Sequence, residues 1–278
     1  MRSMVEEFSA EQKNRSIAFG GPPPQQRLGR TDSMRLTTPA IVLSLRSHGE
    51  HGAVVRLMTP EHGLQAAYVR GARGRRMRPV LMAGNLVEAR LASRTDTQLP
   101  QATVELLHSR GPLLTEPLPS AAIEWVAALT AAALPEQQPY PRLHHALAAL
   151  LDAIEAAPSA AGWAAALVRF ELLLLAELGF GLDLSQCAVS GRAQDLVAVS
   201  PRSGRAVSAA EAEPYAGRLL PLPRFVLGGG PASWGDMLDG LALSGHFLAR
   251  DVLTDRAEPL LEARERLTER LRRAAGLA

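Results

Sequence analysis

The feature that most constrains this chain is a change of periodicity at Pro112. From Met34 to Gly111 apolar residues come in short, alternating runs. Beyond Pro112 the runs lengthen and recur at helical spacing. "AIVLSLRSH" (40–48) and "HGAVVRLMT" (51–59) flank the short turn Gly49-Glu50. "PEHG" (60–63) makes the next turn and "LQAAYVR" (64–70) a third strand. "NLVEARLAS" (85–93) and "ATVELLHS" (102–109) complete a set of five. Five short strands in 78 residues predict a small closed β-barrel.

After the proline-rich connector "PLLTEPLPS" (112–120), helical patterns cover 120–134, 141–157 and 161–179, then 234–254 and 258–274. Gly179 and Gly181 close the third. The stretch 182–231 reads as irregular with short extended pieces. The expected organisation is a polar, Pro/Gly/Gln-rich disordered tail over 1–33, with Met34 as a possible native start. A barrel over 34–111, a helical domain over 112–181, an insert over 182–231 and C-terminal helices over 232–278 packing on the helical domain follow. The class is α+β multidomain. Five strands with one long basic connection are compatible with an OB-fold, which commonly binds single-stranded nucleic acid.

Cysteine and charge limit the chemistry. The single cysteine, Cys187, excludes an internal disulfide and a cysteine-rich zinc site, and fits a reducing cytoplasm. The most apolar segment, 163–180, is interrupted by Arg169, Glu171 and Glu177, so it reads as a buried helix and not a membrane span. His48, His51, His62, His108, His144, His145 and His246 form no two-histidine helical metal motif. "LGGGPASWGD" (227–236) lacks the Lys-Ser/Thr of a phosphate loop, and no histidine lies near Cys187 in sequence. The reading is a non-enzymatic binding protein without cofactor or metal.

One loop stands apart. "YVRGARGRRMRP" (68–79) holds Arg70, Arg73, Arg75, Arg76 and Arg78 without an acidic residue. Such a run repels itself, and a flexible loop must hold it. Phosphates relieve the repulsion with release of counterions. The guanidinium fork suits phosphate oxygens, and Gly71 and Gly74 let a backbone come close. From Met34 to Gly111 eleven arginines face five acids, a local charge of +6 in a chain whose net charge is +2. Aromatic residues make up only 4% of the chain, and Tyr68 alone stands among these arginines. Backbone-led binding with strong salt dependence and little sequence preference is therefore expected.

Three segments together resemble the RecO family of bacterial recombinational repair proteins. "AIVLSLRSHGEHGAVVRLMTPEHGLQAAYVRGARGRR" (40–76) carries a T-x-E-x-G turn at Thr59, Glu61 and Gly63, and an "RGAR" element (70–73) like the family's K-G-A-R. "RFELLLLAELGFGLDLSQCAVSG" (169–191) is similar to its R-F-E…L-G-Y…C segment, through Arg169, Phe170, Glu171, Leu178, Gly179, Phe180 and Cys187. "VSPRSGRAVS" (199–208) is similar to the glycine-containing hairpin that follows. The resemblance implies an N-terminal OB-fold, a helical domain and a small zinc-ribbon-like insert. It implies binding and annealing of single- and double-stranded DNA. It also implies action with RecR to load RecA on strands coated by single-strand-binding protein, and binding of that protein's C-terminal tail. Many members carry two C-x-x-C pairs. Here the first reads Cys187-Ala188-Val189-Ser190 and the second falls near Ser208 to Glu211 without a cysteine, so the insert is expected to bind no zinc.

By the same resemblance Arg70 and Arg73 occupy the basic positions of the K-G-A-R element, with Arg75, Arg76 and Arg78 extending the patch toward phosphates. Arg169 suits a structural ion pair or helix packing at least as well as DNA contact. The residues themselves leave two further readings open: an RNA- or ribosome-associated OB protein, and a protein-interaction scaffold whose basic loop meets an acidic partner.

Overall fold

The computed structural model describes residues 35–95, 98–157, 159–254 and 258–277; the tail expected over 1–33 lies outside the described residues. Five strands form a closed barrel: β1 (Arg35–His48), β2 (Gly52–Thr59), β3 (Gly63–Val69), β4 (Leu86–Ala92) and β5 (Gln101–His108), in the order β1-β2-β3-β5-β4. β1 makes closure possible because it serves two neighbours. Arg35–Ile41 pair antiparallel with β4, and Ile41–His48 pair with β2. Between Val42 and Ser44 the register breaks, and such a bulge bends a strand from one partner toward the next. β3 meets β5 in parallel at Tyr68–Gln101, where the Tyr68 amide donates to Pro100 O at 2.8 Å.

Alternation decides what each face does. Val42, Val55, Leu57, Val69, Val87 and Leu91 fill the barrel, with alanines 40, 53, 67, 89 and 102 between them. The small side chains let so narrow a barrel close. Ile41, Leu43, Met58 and Leu64 belong instead to the larger core shared with the helices. The barrel thus turns one patch of its outer wall to the helical part and leaves the rest to solvent.

That helical part contains α1 (Pro117–Ala133), α2 (Pro141–Ala156) and α3 (Ala164–Glu177). An insert follows, with β6 (Leu196–Val199), β7 (Ala206–Ser208), α4 (Ala209–Ala212), β8 (Leu220–Pro221) and α5 (Arg224–Gly228), and then α6 (Trp234–Phe247) and α7 (Glu258–Ala274). α1 starts three residues before the first helical pattern, because Pro117 and Pro119 lack only amide groups that a first turn leaves unbonded. α3 is preceded by a 3₁₀ turn at Ala160–Gly162. In the insert, expected as short extended pieces with a hairpin over 199–208, β6 and β7 pair antiparallel and β8 joins them in the order β7-β6-β8. The fourth helix was expected to reach Thr254, but it changes at Leu248–Val252 into a π turn. At this turn Arg250 lies over the ring of Phe247 on α6 at 4.6 Å and donates to Arg202 O of the insert at 3.0 Å.

Two polar networks fasten these parts. Glu171 on α3 is fully buried and accepts from Trp125 Nε1 (2.8 Å), from Arg264 Nη2 on α7 (2.7 Å) and from Ser244. Arg110, just beyond β5, donates to Gly84 O at 2.7 Å and to Asp152 on α2, while its backbone amide donates to Asn85 Oδ1 at 2.8 Å. Among the described residues no helix is long and apolar enough to cross a membrane.

Candidate nucleic-acid interface

The arginine loop joins β3 to β4 across one end of the barrel. It is not the flexible loop the sequence suggested but a chain of turns. Gly74 N donates to Gly71 O (2.9 Å), Met77 N to Gly74 O (3.0 Å) and Leu81 N to Met77 O (3.0 Å). Ala72 and Leu81 are buried in the barrel core, with Met77 and Val80 packed against it. Asn85 pins the far end, its Nδ2 donating to Pro79 O at 2.8 Å and to Val80 O at 3.1 Å. Gly71 sits at φ +70°, a left-handed turn that a side chain resists. Gly71, Ala72, Gly74, Met77, Val80 and Leu81 are thereby tied down, while Arg70, Arg73, Arg75, Arg76 and Arg78 are all exposed.

Ion pairing separates the barrel's arginines into two groups. Arg56 pairs with Glu136 at 2.9 Å, Arg90 with Glu88 at 2.9 Å and Glu105 at 3.4 Å, and Arg110 with Asp152 and Glu155. The bond from Glu88, helped by the charge of Glu105, raises the Arg90 pKa. Among the described residues none of the five loop arginines has a carboxylate within salt-bridge distance. Arg73 alone touches the neighbouring turn, its Nη1 donating weakly to Glu50 O at 3.3 Å. Arg35, at the start of β1 opposite Ala92, and Arg94, just beyond β4, are exposed as well.

The structure also brings up residues that sequence reasoning passed over. His51, in the β1–β2 turn, lines a shallow cleft with Gly71, Arg73 and Gly74. Arg46 and His48 are exposed on the same hairpin. The signal that would have found them is register: with a turn at 49–51, strand alternation puts 46 and 48 on the same outward face as 68 and 70. Arg169, by contrast, lies over the Phe225 ring at 5.3 Å, in the helical part and away from the barrel.

Comparison with known proteins now bears on the chain. Residues 34–110 match the family described as Recombination protein O N terminal, and residues 116–256 match Recombination protein O C terminal. The chain belongs to the RecO family of recombination mediators in DNA repair. It is 48% identical to the DNA repair protein RecO of Caulobacter sp. (strain K31) over 241 residues, 86% of this chain and 98% of that one. It is 45% identical to the protein of that name from Rhodospirillum centenum, over 87% of this chain and 96% of the relative. The corresponding figures for Cereibacter sphaeroides (strain ATCC 17029 / ATH 2.4.9) are 43%, 84% and 96%. The family is not an enzyme family, in keeping with the absence of a catalytic constellation from the sequence.

Three of the four positions at which the resemblance implies cysteine pairs, Cys187, Ser190 and Ser208, come together here without the chemistry of a metal centre. Cys187 is buried, and its Sγ accepts from Ser208 N at 3.3 Å and from Ser208 Oγ at 3.4 Å. Burial pushes the thiol pKa up, but the hydroxyl and amide of Ser190 and those of Ser208 stabilise the thiolate more and bring it down to about 6. Hydrogen bonds thus hold the two ends of the turn where a metal would otherwise do so. Among the described residues no three His, Cys, Asp or Glu side chains gather closely enough to hold a metal ion.

Proposed function

We propose that the loop Arg70–Arg78 is the DNA-contacting element of this recombination mediator, with Arg70, Arg73, Arg75, Arg76 and Arg78 on phosphates. One observation carries the reading. Of the barrel's arginines Arg56, Arg90 and Arg110 have carboxylate partners; these five have none among the described residues, and unlike Arg35 and Arg46, which have none either, they are gathered in one loop. A fixed, unpaired set of guanidinium groups gains little from folding and much from a polyanion. Neutralising phosphates lets two strands approach each other, which is what annealing requires, and it needs neither nucleophile nor metal. On this reading residues 34–111 are the DNA module. The helical part takes the protein partners: RecR, and the acidic C-terminal tail of single-strand-binding protein, so that RecA is loaded on coated strands. The setting is the cytoplasm, at the nucleoid.

The test is anisotropy of labelled DNA across a salt series, for the wild type and for a variant with alanine at all five positions. Each phosphate contact on a single strand contributes a slope of about −0.7. The variant's slope is expected to flatten by about 3.5. Equal slopes and equal affinities would place the DNA elsewhere, and an RNA oligomer of the same sequence bound far more tightly would redirect the reading to RNA.

A further inference from the structure

The outward face of β1–β2–β3 beside the arginine loop has an ordered pattern. Arg46 stands opposite Val54, and Val54 opposite Tyr68. One step further along the same face His48 stands opposite Gly52, and Arg70, next after β3, continues that row. The four outer corners of this patch are therefore Arg46, Tyr68, His48 and Arg70. The aromatic pair occupies one diagonal and the arginines the other.

The centre is built for the aromatic diagonal. A Cβ on Gly52 would lie 2.1 Å from the Tyr68 hydroxyl and 2.3 Å from Cζ. Only a glycine lets the Tyr68 ring lie down across the hairpin. There it meets the His48 ring edge to face, with centroids 6.0 Å apart and planes at 79°. His48 itself is exposed. Between residues 35 and 70 the only acids are Glu50 at the hairpin tip and Glu61 in the turn at the far end of β2. Glu50 is turned to solvent and reaches no closer to His51 than 3.9 Å. Among the described residues no carboxylate forms an ion pair with Arg46, His48 or Arg70.

We infer that this patch receives an unpaired base of single-stranded DNA, stacked on the His48–Tyr68 step while Arg46 and Arg70 hold the flanking phosphates. The inference rests on the reading of the arginine loop as a DNA site and adds to it a means of telling an unpaired strand from a duplex. In a duplex the bases are stacked on each other and cannot reach a protein aromatic, whereas every free base has a face to offer. The loop alone, reading only phosphates, gives no such preference.

His48→Ala and Tyr68→Leu are the variants to compare with the wild type and the five-alanine protein; His48, being exposed, can be removed without touching the core. The probes are a thymidine oligomer, an oligomer of the same length made wholly of abasic sites, and a duplex of that length. Stacking on one aromatic side chain corresponds to about 5- to 150-fold in affinity. Each variant is expected to lose that factor on the thymidine oligomer, with abasic and duplex binding and the salt slope unchanged. Unchanged binding of the thymidine oligomer overturns the inference, as does an equal loss on all three probes. If the five-alanine protein loses binding while both aromatic variants keep it, the base site alone is wrong. If the wild type binds none of the probes in a salt-dependent way, the reading of the loop falls with it.

Discussion

Arg110 and Asp152 form an ion pair across the junction of barrel and helices in which the two partners are unequally buried: the Arg110 side chain is 6% exposed, that of Asp152 69%. The energetic weight therefore lies with the arginine. It also donates to Gly84 O at 2.7 Å, and Glu155, 3.3 Å from its Nε, is held at 2.8 Å by His108. Replacing Arg110 by methionine keeps the packing, leaves the Gly84 carbonyl unpartnered and frees two carboxylates that water can reach. A loss of about 2 kcal/mol is expected, less than for a fully buried pair. Urea unfolding should show one transition at a lower midpoint. An unchanged midpoint would mean that the junction rests on the apolar contacts of Ile41, Leu43, Met58 and Leu64 alone.

Glu171 poses the opposite case, since it is fully buried and its partner Arg264 nearly so. Glu171→Ala strands a buried guanidinium and the Trp125 N–H. The expected cost is about 3–5 kcal/mol, enough to unfold a marginal domain. Arg264→Met in the same background should recover part of it, because a pair removed together leaves no lone buried charge. Thermal melts of the two single variants and the double variant decide it; no recovery in the double variant would show that packing, not charge, is what was lost.

The division of the barrel's arginines predicts a contrast in DNA binding. Arg90→Ala removes a guanidinium already engaged by Glu88 and Glu105, and should leave the salt slope unchanged. Arg75→Ala with Arg76→Ala removes two unpaired ones and should flatten the slope by about 1.4. The same anisotropy titrations measure both. Equal effects would show that net charge, and not the loop, governs binding.

How much of this was legible beforehand differs from element to element. The five strands were, because alternation is a local signal, carried by Val42, Val55, Val69, Val87 and Val104 on one strand each. The order that places β5 between β3 and β4 was not, since it depends on the distant pair Tyr68–Gln101. The loop's five arginines stood out in the sequence, but which arginines of the barrel are already neutralised did not. Glu136, Asp152 and Glu155, which answer Arg56 and Arg110, come from the helical part, 42 to 80 residues away. The His48–Tyr68 contact was hidden for a similar reason: it depends on the register of three strands and on a glycine whose importance is the atom it lacks. Within 182–231 the pattern alone yields only short extended pieces, because strands of two to four residues carry little alternation; the β6–β7 hairpin was legible through the resemblance of 199–208, and the third strand β8 was not.

Acid should weaken the start of α6. Ser233 and Asp236 form a reciprocal capping box, with Asp236 N donating to Ser233 Oγ at 3.1 Å and Ser233 N to Asp236 Oδ2 at 2.9 Å. The bonds from the Ser233 hydroxyl and amide lower the Asp236 pKa, against a smaller upward push from burial. A carboxylate whose folded pKa is depressed contributes stability above its unfolded value and loses it as pH falls through the folded one. Ser233→Ala should therefore cost about 1 kcal/mol at neutral pH. That difference from the wild type should shrink as pH drops below about 4. Urea midpoints at pH 7 and pH 3 test it. A difference that persists undiminished at pH 3 would assign the cost to the hydroxyl's own bond to Asp236 N and not to the carboxylate.

The insert should accept a metal if its hydroxyls are exchanged for thiols. Ser190 and Ser208 already converge on Cys187, with Ser208 Oγ 3.4 Å from Sγ. Tetrahedral zinc with bonds of about 2.3 Å separates its sulfurs by about 3.8 Å, so the backbone needs to move little. Glu211 lies three residues beyond Ser208 in the helical turn α4, on the same side of that turn. The variant Ser190→Cys, Ser208→Cys, Glu211→Cys is expected to bind one zinc per chain and to show the visible absorption of tetrahedral cobalt when cobalt replaces it. Its melting temperature should rise with metal and fall below the wild type's without it, because the three new thiols repel once they ionise and the hydroxyl bonds to Cys187 are gone. A variant that folds but takes up no metal would show that hydrogen bonding has fixed the turn in a shape that a zinc ion no longer fits.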